Sequence, residues 1–130
     1  MSLTVDRIKQ QMLANAREIT RLNTRIHETF ANRDKSQQSQ AEWKNACTEF
    51  HGSYGELAFP GGYDGAIERI LLGEAAALEA ALCFLECRPY FFRSGYMYKE
   101  ILLKTKRAPL NEEQAARVRQ FQAPNPPAFQ

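Results

Sequence analysis

Histidine is nearly absent from this chain: His27 and His51 are the only two in 130 residues. The usual general base is therefore scarce, and neither residue opens a metal-binding signature. Glu28 follows His27, but position 31 is Ala31 where a zinc-protease helix motif needs a second histidine. No glutamate stands three residues before either histidine, as a di-metal helical bundle requires. The serines lie in no nucleophile-elbow context. Cysteine is also sparse: Cys47, Cys83 and Cys87 are an odd set that builds no disulfide framework and suits a reducing compartment. No uncharged run approaches the roughly 18 to 20 residues of a membrane span, and the polar N-terminus carries no apolar signal segment. Neither sign of charge predominates, since 17 Lys plus Arg stand against 15 Asp plus Glu. A net charge of +2 imposes no nucleic-acid or membrane partner by itself. The expectation is a cytoplasmic protein without membrane contact, cofactor or catalytic set.

Helical periodicity is what the chain has in quantity. Its 44% apolar content and 25% charge fit one domain able to bury a core. From residue 4 to about 32, Val5, Ile8, Met12, Ile19, Leu22, Ile26 and Phe30 recur in steps of three and four, apart from one gap. They predict one helix of about 40 Å, longer than a compact domain of this size. Either the chain bends, or part of the helix projects and pairs with another helix, a second copy of itself in a homodimer being one such partner. Asn15 and Asn23 fall inside the same stripe, as a register-setting seam residue or an end open to water would.

Residues 32–38 contain no apolar side chain and read as a connection, after which Ser39 and Glu42 have capping-box spacing. A second helix follows with Trp43, Ala46, Cys47, Phe50, Tyr54 and Leu57 on one face, and residues 59–65 stop it with a proline and three glycines. Asp64 is the expected cap of the next segment, residues 65–87, read as one helix or two nearly collinear ones joined at Gly73. Apolar or small residues on two sides, with Leu72, Ala76, Ala80 and Cys83 behind, make this the central element. Ser94 is the expected cap of a helix over about 95–107, and Asn111 with Gln114 begins a last one reaching Phe121. The fold class is all-α: a single-domain bundle of four to five helices over 1–122, with a proline-rich extended tail at 123–130.

Three constellations carry possible chemistry. The loop Gly61, Gly62, Tyr63, Asp64, Gly65 precedes a helix as an anion-binding loop would, but it lacks the Lys and Ser/Thr of a phosphate loop and contains a carboxylate. Cys47 with His51, and Cys83 with Cys87, are each one helical turn apart and would make a zinc site if the two pairs converged. Against that stands ordinary core packing of cysteine as a small apolar group. The third is charge segregation. Residues 51–87 hold six acids and one base, whereas residues 88–107 hold six bases and one acid.

The basic block is interleaved with Tyr90, Phe91, Phe92, Tyr96 and Tyr98, a mixture that also suits stacking bases and phosphates. Phe91 and Phe92 are expected to pin the connection to the core, and the acidic stripe of Glu68, Glu79 and Glu86 is available to pair with the basic residues. On the following helix Tyr96 and Leu103 fall between Lys99, Lys106 and Arg107, the composition of an interface hot spot, unless the last helix covers them. The expected function is a non-catalytic protein-interaction module, of inhibitor or immunity type, binding an acidic partner through Arg93, Tyr96, Lys99, Leu103, Lys106 and Arg107. The alternatives are a nucleic-acid binder using residues 88–107 and a small helical zinc protein.

Overall fold

The computed structural model describes residues 3–121, and within them the chain forms six helices: α1 Leu3–Asn32, α2 Gln37–Ala58, α3 Ala66–Leu71, α4 Ala75–Cys87, α5 Ser94–Arg107 and α6 Glu112–Arg119. The tail expected at 123–130 lies outside the described residues. The short connection after α1 returns α2 along it, with Phe30 meeting Trp43 at a ring separation of 5.9 Å and Arg25 meeting Glu49 at 3.2 Å. With 30 residues, α1 runs about 45 Å. Most of its apolar stripe is nevertheless spent inside the chain. Val5, Met12, Ile19 and Leu22 are buried, and Ile8 and Ile26 are partly buried against the same core, because α1 packs on both α2 and α4. Phe30, the last residue of the stripe, remains 46% exposed at the end of the helix. Asn15 and Asn23 sit half-buried at the edge of the stripe, with Asn15 accepting a hydrogen bond from Gln11 at 2.8 Å.

The centre is α4, whose buried run Ala77, Leu78 and Ala80 to Leu85 is enclosed on all sides. Alanines there permit close approach of neighbouring helices. Leu72, expected with the small residues behind this element, is instead 81% exposed, because it precedes the break and does not share the α4 wheel.

That break divides the segment expected as one continuous or nearly collinear run. Gly73 adopts φ +78, left-handed, and a Cβ at this position would lie 2.6 Å from Pro109 Cγ. Backbone strain of about 1–2 kcal/mol and the collision act together. Gly73→Ala is expected to cost at least about 2 kcal/mol, read as a lowered denaturant midpoint at unchanged slope. A loss under about 0.5 kcal/mol, the range of ordinary surface substitutions, would contradict the close approach of Pro109.

Three caps differ from expectation, and of these only that of α2 is made by a side chain. Ser36, not Ser39, caps α2: its extended backbone places Oγ to accept from the Ser39 N–H at 3.0 Å, which makes Ser39 part of the first turn. Gly65 rather than Asp64 begins α3, since the entry is left-handed at φ +77, a conformation glycine takes without strain. Arg93 precedes α5, and Ser94 turns back to accept from the Phe91 N–H at 3.1 Å. The last cap is as read: Asn111 and Gln114 exchange both bonds of a capping box, at 2.8 and 2.9 Å. Among the described residues no helix is long and apolar enough to cross a membrane.

Candidate interaction surface

The connection from α4 to α5 is short, aromatic and held at several points. Phe91 is buried between Tyr54 and Phe84, at ring separations of 6.0 and 6.3 Å. Tyr54 donates its hydroxyl to the Phe92 carbonyl at 2.7 Å. Phe92 shares less in the anchoring than expected, being 47% exposed with an edge contact to Phe50. The turn is bracketed by Arg88 at φ 47 and Arg93 at φ 67, the two non-glycine residues with positive φ among those described. Such conformations cost on the order of 1–3 kcal/mol each and persist only where the surroundings impose them. Here the imposed shape turns Tyr90 outward, 89% exposed.

On α5, Met97, Tyr98, Ile101, Leu102 and Thr105 face the core, and the Arg88 guanidinium stacks over Tyr98 at 4.4 Å. The opposite face carries Tyr96 and Leu103, 71% and 47% exposed, among exposed Lys99, Lys106 and Arg107. Arg93 extends this face by stacking on Phe92 and Tyr96, at 5.7 and 5.5 Å. All six residues singled out from the sequence thus lie on one exposed surface, and α6, which buries Val118, leaves Tyr96 and Leu103 open. Glu100, the one acid of the block, is exposed one turn after Tyr96 and accepts the hydroxyl of Tyr63. Burial and that carboxylate push the Tyr63 phenol well above its ordinary value.

The acidic stripe finds its partners elsewhere. Arg117 on α6 forks onto Glu86 at 2.6 and 3.0 Å and reaches Glu79 at 2.7 Å, while Lys9 on α1 meets Glu86 at 3.1 Å. The Arg117 hydrogen bonds hold the Glu86 carboxyl below its ordinary value, against partial burial and with help from Lys9. Arg117 is correspondingly raised, chiefly by Glu86. These four side chains tie α1, α4 and α6 together, which leaves the α5 face cationic.

The cysteine pairs do not converge. Among the described residues no three of His, Cys, Asp or Glu are placed to hold a metal ion. Cys87 Sγ lies 3.9 Å from Met12 Sδ, and the buried Cys83 thiol faces Glu79 at 3.7 Å. Burial, with Glu79 adding to it, pushes the Cys83 thiol up to about 11, and burial likewise raises Cys87, so neither supplies a thiolate near neutral pH. In the glycine loop, Arg69 donates to the carbonyls of Gly62 and Asp64 at 3.1 and 3.4 Å. The cation an anion would need there is engaged with the backbone.

Two shallow grooves border the basic face, and Tyr90 lines both. One, of about 310 Å³, runs past Arg93, Tyr96 and Lys99. The other, of about 370 Å³, lies against α1 at Leu13, Ala16, Arg17 and Thr20. Sequence reasoning missed the second. Its one signal is Leu13, an apolar residue off the α1 stripe and 39% exposed. No family model matches the chain, and neither a curated protein nor a solved structure is significantly similar to it.

Proposed function

We propose that this chain is a non-catalytic, cytoplasmic protein-interaction module that covers an acidic partner with the outer face of α5, in the manner of an inhibitor or immunity protein. The observation that carries the reading is the exposure of Tyr96 at 71% on a helix face that also carries Arg93, Lys99, Lys106 and Arg107. A fold with a full core gains nothing from an aromatic ring there, whereas a partner that desolvates it gains a hot spot. Leu103, about 10 Å further along the helix, supplies a second anchor. Arg93, Lys99, Lys106 and Arg107 accelerate encounter with an acidic surface more than they strengthen the final contact. The three cysteines, all free, suit a reducing compartment.

The test compares wild type with two variants on a purified partner. Tyr96→Ala is expected to weaken binding by about 2 kcal/mol, about thirtyfold, through faster dissociation. Lys106→Glu is expected to slow association and reduce its salt dependence while leaving dissociation nearly unchanged. Equal binding by the Tyr96 variant would reject the anchor. Exposed Tyr90 and Tyr96 beside Arg93 also form a platform on which bases stack. Oligothymidylate affinity that falls steeply between about 50 and 200 mM salt would select the nucleic-acid reading instead.

A further inference from the structure

The two grooves beside Tyr90 differ in character but share one electrostatic sign. The α1 groove is walled by Leu13, floored by the buried Ala16 and flanked by Arg17. Thr20 adds little polarity, because its hydroxyl already donates to the Ala16 carbonyl at 2.9 Å. The α5 groove is flanked by Arg93 and Lys99. No carboxylate lines either one.

We propose that the partner presents an amphipathic acidic peptide segment that crosses both helices at Tyr90, seating an apolar side chain against Leu13 and Ala16 and setting carboxylates against Arg17, Arg93 and Lys99. This rests on the interaction reading of α5 and enlarges it to a site built from two elements distant in sequence. Charge complementarity selects an acidic occupant, since every group at the rims that is charged at neutral pH is a cation. The apolar walls of the α1 groove select a peptide over a nucleic-acid backbone, which carries a phosphate at each nucleotide and would leave Leu13 unmatched. Tyr90 needs no rearrangement to serve as the ridge between them. Its turn is held by the buried Phe91, the Tyr54 hydrogen bond and the bond from the Phe91 N–H to the Ser94 hydroxyl, so little conformational freedom is lost on binding.

The isotope-labelled full chain is titrated with three probes followed by amide shifts: a short peptide of alternating Glu-Glu and Leu-Leu pairs, a polyglutamate of equal charge, and oligothymidylate. The Glu-Leu peptide is expected to shift amides of residues 13–20 and 90–99 together and to bind about tenfold more tightly than polyglutamate. Leu13→Glu should abolish that tenfold advantage while leaving the polyglutamate shifts on α5 unchanged. Arg17→Glu, at an exposed position, gives the same comparison without altering an apolar wall. Shifts confined to α5 would overturn the two-helix site and leave the interaction reading intact. Failure of both peptides to bind would overturn both. Oligothymidylate filling both grooves more tightly than the Glu-Leu peptide would overturn the acidic peptide as the occupant.

Discussion

Phe84→Ala is expected to lower the free energy of unfolding by about 3–5 kcal/mol, the range for removing a fully enclosed aromatic ring. Phe84 is wholly buried in the last turn of α4 and meets Phe59 and Phe91 at ring separations of 6.2 and 6.3 Å. Its removal deletes transfer free energy and leaves a cavity that three helices and a turn cannot collapse at once. Against a typical total of about 5–15 kcal/mol, the variant retains a small margin at room temperature. The effect reaches the surface because Phe91, the anchor beneath Tyr90, packs on the deleted ring. Urea unfolding should show a lower midpoint at constant slope, and hydrogen exchange should accelerate in residues 88–93. A loss below about 1 kcal/mol would mean that the ring is not enclosed as described.

Arg117→Ala is expected to cost about 2–3 kcal/mol, between the roughly 3–5 kcal/mol for breaking a buried pair and the 0–1 kcal/mol of an exposed one. The intermediate figure follows from burial, since the side chains of Arg117, Glu86 and Glu79 are 18%, 19% and 35% exposed. The variant leaves two half-desolvated carboxylates with Lys9 as the remaining cation. Helix α6 has eight residues and one buried side chain, Val118, and so short a helix does not persist without tertiary contacts. Its amides should lose protection in the variant. The pH dependence supplies a second readout. Glu86 has a lowered pKa when folded, so its contribution is complete above the ordinary carboxyl value of 4.5 and is lost as pH falls through the folded value. Stability of the wild type should therefore rise with pH across that acid window, where the unfolded chain binds the extra proton, and Arg117→Ala should flatten the rise. Arg117→Lys should recover part of the stability but not the fork to Glu86. An unchanged acid limb in the alanine variant would reject the cluster as its source.

How much was legible in the residues differs between neighbouring features of one element. The buried face of α5 follows from spacing alone, because Met97, Ile101, Leu102 and Thr105 recur at the helical period. Tyr96 and Leu103 stand out on the opposite face for the same reason. Whether α6 would cover them was not legible, since that depends on where an eight-residue helix docks after a turn at Pro109. Docking is decided by Arg117, whose partners lie 31 and 38 positions earlier in the chain. Similarly, Ser36 and Ser39 are both competent caps by type, and only the φ and ψ of the connection decide which hydroxyl meets an amide.

By itself the amino-acid sequence determined the helical class, the faces of the main helices, the turns at residues 59–65 and Gly73, the Asn111 cap and the cationic outer side of α5. These are local properties, set by a period of 3.6 residues and by the conformational limits of glycine and proline. Tertiary structure alone decided that α2 and α4 together cover most of the long stripe of α1, that Glu79 and Glu86 of α4 pair with Lys9 and Arg117, and that Tyr90 lines one groove with Leu13 and Arg17. Each of these joins residues far apart in the chain. Such contacts depend on the directions in which short turns send rigid helices, and periodicity carries no information about direction.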